Sequence, residues 1–135
     1  MKNIKHLNEF TLLKKIKTEL PNNLGSNFII KTEENLGQAR PDFVIENIKT
    51  GKKIVIELKG SKAYEDLPLA VVPTLRILKQ SLGLNFDNFI LVSLSNVSNM
   101  LKDYLTEDNI KVVEVDENDV YIKKLVEIIL SEEKK

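Results

Sequence analysis

Two runs of strand-forming residues stand back to back in the first half of the chain. Asp42 to Ile48 and Lys53 to Lys59 flank the dipeptide Thr50-Gly51. Isoleucine, valine and phenylalanine at this density, divided by a turn signal, predict a β-hairpin. Alternation puts Glu57 and Lys59 on one face and Ile54, Ile56 and Leu58 on the other, where Phe43 and Ile45 join them. With Thr50-Gly51 as a two-residue loop, Lys49 pairs with Lys52. That register sets Asp42 opposite Lys59 and Val44 opposite Glu57. A three-residue loop with a bulge at Gly51 would shift the pairing.

The flanking sequence restricts what the hairpin belongs to. Leu12, Leu13, Ile16 and Leu20 recur at helical spacing, with Lys14, Lys15 and Lys17 on the other side, so Ile4 to Leu20 reads as an amphipathic helix. Pro21 to Gly25 is its expected stop. Asn27 to Thr32 reads as a strand and Glu34 to Arg40 as a loop. After the hairpin, a helix is expected from about Leu67 to Leu82, with Pro73 kinking it or delaying its start. Phe86 to Ser93 reads as a strand buried on both faces. Val97 to Leu105 reads as a helix, Ile110 to Val115 as a strand and Val120 to Leu130 as a C-terminal helix. The order α-β-β-β-α-β-α-β-α predicts an α/β fold, a mixed central sheet flanked by helices.

The 135 residues suit one domain, 1–135, with a polar tail at 131–135. The chain has no cysteine and one histidine, His6, which excludes disulfides, thiolate metal sites, cysteine nucleophiles and multi-histidine metal sites. A metal here is a hard ion held by oxygen. No apolar signal core follows Met1, and no uncharged stretch is long enough to span a bilayer, so a cytoplasmic protein without membrane contact is expected. Net charge is zero, yet Met1 to Lys62 carries 12 basic against 7 acidic residues. A basic first half attracts an anionic partner, though less strongly than a highly basic domain.

Asp42, Glu57 and Lys59 converge at one end of the hairpin. Two carboxylates beside one ammonium suit Mg²⁺, which prefers octahedral oxygen and takes one or two carboxylates. The Leu58 carbonyl is a further oxygen within the segment. The reaction class that fits is phosphodiester hydrolysis. Just beyond, Lys62 and Tyr64 are candidates to contact a phosphate and stack on a base, and a plain loop explains them equally well. An acid and a lysine two apart at a strand end is also the pattern of a surface ion pair worth little.

Pro41-Asp42 followed by Glu57-Leu58-Lys59 resembles the signature of the PD-(D/E)XK nuclease superfamily, which has the restriction-endonuclease-like fold. The order α-β-β-β-α-β is similar to that family's core, and the resemblance covers roughly Ile4 to Val115. It implies that Asp42 and Glu57 hold one or two divalent ions, Mg²⁺ with Mn²⁺ as a substitute. It also implies that Lys59 is the catalytic lysine and that the substrate is DNA or, less often, RNA. The family often adds a glutamate from the first helix. Glu9 is the better match and Glu19 the alternative. Arg40, with Gly37 and Gln38 upstream, is similar to the loop before Pro-Asp in archaeal Holliday junction resolvases, which makes Arg40 and Gln38 candidate nucleic-acid contacts. A homodimer is common in this fold and fits the broad apolar face of the last helix. The rival reading is a non-catalytic nucleic-acid-binding or protein-interaction module on the same fold, which the neutral charge and few aromatics favour.

Overall fold

The computed structural model describes residues 8–32, 41–60, 65–82, 86–115 and 120–131. Its elements are α1 (Glu9–Leu24), β1 (Phe28–Thr32), β2 (Phe43–Asn47), β3 (Lys53–Lys59), α2 (Val71–Leu82), β4 (Asn88–Ser93), α3 (Asn99–Glu107), β5 (Ile110–Glu114) and α4 (Val120–Ser131). The expected order of elements is the observed one. Several boundaries move, each for a local reason.

α1 starts at Glu9 rather than Ile4. Asn8 is extended, its Oδ1 accepts the Thr11 N–H and its own N–H donates to Thr11 Oγ1, both at 2.9 Å. This reciprocal cap satisfies two amide donors that the first turn leaves open. Pro21 does not stop the helix. The Asn22 and Asn23 side-chain amides donate to the Thr18 and Glu19 carbonyls at 3.3 and 2.7 Å. The helix runs on until Leu24 is buried and Gly25, at φ +89°, turns the chain. α2 begins at Val71 rather than Leu67, because Pro73 then falls in the first turn, where its missing N–H costs nothing. α3 begins at Asn99 rather than Val97, where Ser98 caps it by accepting the Leu101 N–H. Ser131 belongs to α4 rather than to the polar tail.

The strands form one sheet in the order β1-β2-β3-β4-β5. β1, β2 and β3 are antiparallel neighbours, while β3, β4 and β5 run parallel. The hairpin register differs from the expected one. Phe43 pairs with Ile56 and Glu46 with Lys53, and the Asn47 N–H donates to the Lys52 carbonyl. The cause is the turn. Asn47 Oδ1 accepts the Lys49 and Thr50 N–H groups, and its carbonyl accepts the Gly51 N–H at 2.8 Å with Gly51 at φ +75°. This side-chain-built turn holds four residues instead of two. Each partner shifts by two places, so every residue keeps its face.

Two cores cover the sheet. α1 and α4 pack on the face carrying Phe43, Ile45, Ile54, Ile56, Ile90 and Val92. α2 and α3 pack on the face carrying Val55, Phe89 and Leu91. The apolar side of α4 (Tyr121, Ile122, Leu125 and Ile129) is buried within the chain, where the sequence reading had left room for a subunit contact. Among the described residues, no helix is long and apolar enough to cross a membrane.

Candidate active site

Continuing the hairpin register sets Asp42 opposite Glu57, not opposite Lys59, and the two acids interlock. The Asp42 N–H donates to Glu57 Oε1 at 3.1 Å, and the Leu58 N–H donates to Asp42 Oδ2 at 2.8 Å. Each bond takes one carboxylate oxygen and fixes its side chain to the opposite strand's backbone. Leu58 therefore enters the site through its amide, while its side chain lies in the core. The carboxyl groups also hydrogen-bond to each other.

Glu57 is 8% exposed. Burial, then the hydrogen bond to Asp42 and the Asp42 charge, push its carboxyl up to about 9. The Asp42 amide and the charge of Lys59 pull the other way without prevailing. At neutral pH Glu57 therefore keeps its proton, as expected for a buried carboxyl facing a second carboxylate without a cation.

Glu9, at the start of α1, is exposed but belongs to the same electrostatic group. Its carboxyl is raised by burial and by the charge of Asp42, against the charge of Lys59. Glu19 lies ten residues further, about 15 Å along the helix, and is not part of this group. Lys59 ends β3, beside Ser93 of β4, and its carbonyl accepts the Leu94 N–H at 3.0 Å. Asp42, Glu57 and Lys59 thus stand at one rim of the sheet, at the carboxyl end of β3, and Glu9 lies near enough to feel the charges of Asp42 and Lys59. Among the described residues, no three acidic or imidazole side chains lie close enough together to hold an ion by themselves. Arg40, Gln38, Lys62 and Tyr64 lie outside the described residues.

Sequence reading missed the close approach of Gly60 to Ser95. Gly60 has φ +92°, and a Cβ there would stand 2.7 Å from the Ser95 nitrogen and 2.7 Å from its Oγ. The β4 exit is folded tightly, since Ser93 Oγ donates to the Ser95 carbonyl at 2.8 Å. The signal was the glycine directly after Lys59. Arg76 and Lys79 of α2 point away from this rim. Arg76 Nε bonds Asp108 Oδ2 at 2.6 Å and Lys79 Nζ donates to the Asp108 carbonyl, which ties α2 to the end of α3. A cavity of about 890 Å³ lies by the opposite ends of β4 and β5, lined by Lys79, Asn88, Lys102 and Lys111 among others. Lys102 there is paired with Glu114 at 2.7 Å.

A mixed five-stranded sheet built as αβββαβ and flanked by helices has the architecture of the restriction-endonuclease-like fold. Solved structures agree with that assignment. A repair endonuclease from Pyrococcus abyssi superposes with a TM-score of 0.59 at 21% identity, over 83% of this chain and 48% of its own. EndoMS in a complex with dsDNA gives 0.55 at 18% identity, over 87% and 49%. SfsA from Pyrococcus furiosus in complex with Ca²⁺ gives 0.50 at 19% identity, over 84% and 62%. The chain spans about half the length of the first two. No protein-family model and no curated protein matches the sequence.

Proposed function

We propose that this chain is a nuclease that hydrolyses phosphodiester bonds in DNA with the help of a divalent ion, Mg²⁺ or Mn²⁺ in its place. The observation that carries the reading is the interlocked pair of Asp42 and Glu57 with Lys59 at the same rim. The donor set fits such an ion. Both carboxylates are oriented by backbone amides, and a cation held by them would take the place of the proton on Glu57 and stabilise both as carboxylates. Asp42 and Glu57 would hold it, with the Leu58 carbonyl as a further oxygen, while Glu9 does not come close enough to the two acids to complete a three-carboxylate cluster and would act through its charge. When bound, the ion supplies Lewis-acid polarisation of the phosphate and makes a water easier to deprotonate. Lys59 orients the attacking water and offsets the negative charge that grows on the phosphoryl oxygens. Glu9 adds negative charge where the proton leaves that water. The substrate follows from the fold neighbours, an endonuclease of repair and a protein held with dsDNA, and from the basic first half.

The test is incubation of the purified chain with labelled single-stranded, duplex and branched DNA, with and without Mg²⁺ or Mn²⁺. Cleavage that needs the ion supports the proposal. Binding without cleavage at any metal concentration supports the rival, a non-catalytic binding module. The absence of a third ligating side chain among the described residues favours that rival.

A further inference from the structure

Resting on the nuclease reading, we infer that Phe10, Lys14 and Lys17 of α1 form a contact for the substrate strand, in which Phe10 stacks on an unpaired base and the two lysines hold the adjoining phosphates. Glu9 stands three residues before Leu12 and seven before Ile16, both fully buried, so helical spacing sets it on the side facing the sheet. Phe10, one residue on, turns out of that side and is 64% exposed. Lys14 and Lys17 follow at four and seven residues on the same ridge, and both are exposed. The Lys14 ammonium stands 4.4 Å from the centre of the Phe10 ring. With Lys14 over one face and the ring still 64% exposed, Phe10 offers its other face to a base while the ammonium beside it can take a phosphate, next to a residue of the reaction rim. A nucleotide fits both, offering a base to the ring and a phosphate to the ammonium. Phe10 to Lys17 covers about 10 Å along the axis, enough for more than one phosphate. Bases inside a continuous duplex are stacked on both sides, so the ring can only take a base that is unpaired or at an end.

The experiment is fluorescence anisotropy of the full chain, in Ca²⁺ buffer, with a labelled continuous duplex and the same duplex carrying an unpaired flap. All three residues are exposed, and circular dichroism checks that each variant is folded. Phe10→Ala should weaken binding to the flapped DNA about tenfold and to the continuous duplex less than twofold, and Phe10→Trp should restore it. Lys14→Ala with Lys17→Ala should lower the slope of log affinity against log salt by about 1.4. Equal loss on both DNAs, or no loss, overturns the inference while leaving the nuclease reading intact. A parent chain that binds no DNA overturns both.

Discussion

Glu57 holds the proton of the acidic pair, and this makes the stability of the ion-free protein depend on pH in an unusual direction. Its carboxyl titrates at about 9 in the folded chain against 4.5 for an ordinary glutamate. Between those values the folded chain binds more protons than the unfolded one, so stability falls as pH rises. The contribution is complete below about 4.5 and gone above about 9. Urea midpoints without divalent ions should therefore decrease from pH 5 to 7 to 9. Glu57→Gln, whose amide can still donate to Asp42, should flatten the series, and a parent midpoint that rises with pH would contradict the pairing. The neighbouring lysine behaves differently. Lys59→Ala should lower turnover about 10²–10³-fold, the usual cost of losing one preorganised stabilising group. Raising Mg²⁺ should not rescue it, while Asp42→Asn should recover in part. Equal cleavage by parent and Lys59→Ala would remove Lys59 from the mechanism.

At the level of elements, the rim is held by how α1 begins and how β3 ends. Asn8 starts α1 and thereby places Glu9 in the first turn. Asn8→Ala should cost about 1 kcal/mol in urea unfolding, as the loss of an N-terminal cap usually does. It should also weaken Mg²⁺ binding if Glu9 takes part. Gly60 closes β3 immediately after Lys59, at a backbone angle that disfavours side chains and against the backbone of Ser95. Gly60→Ala should destabilise the chain by more than about 1 kcal/mol. The relief must come from moving either the β4 exit or the Lys59 backbone, so turnover should fall even at temperatures where the variant is fully folded. A Gly60→Ala protein with parental stability and turnover would show that the close approach is slack.

For the whole molecule, the two cores hold the hairpin's sheet from both faces, so an ion at the rim bears on folding as well as on chemistry. An ion that binds the folded chain and not the unfolded one stabilises it by mass action, about 2.7 kcal/mol at a hundredfold excess over its dissociation constant. Differential scanning calorimetry should show the melting temperature rising with Mg²⁺ for the parent and far less for Asp42→Asn. The rise should be larger at pH 8 than at pH 6, because the ion must displace the proton on Glu57. A melting temperature indifferent to Mg²⁺ in both proteins would argue against any ion at this rim.

Much of this was present in the sequence. Strand and helix periodicity are properties of neighbouring residues, so the order of the nine described elements, and the shared face of Asp42, Glu57 and Lys59, could be read directly. Glu9 was legible as a position on a stripe. The hairpin register was not, because it depended on the Asn47 side chain replacing a two-residue turn with a longer one. The end of α1 was obscured for a similar reason, since two asparagine side-chain amides bond the Thr18 and Glu19 carbonyls and support the last turn past Pro21. Only the tertiary structure decided that Asp42 faces Glu57 rather than Lys59, that Glu57 is buried enough to keep a proton, and that Ser95 leaves room for nothing but glycine at position 60. Local pattern depends on what lies a few residues away along the chain. Proton affinity and steric room depend on groups brought from fifteen or thirty-five positions away, whose distances only the packed sheet determines.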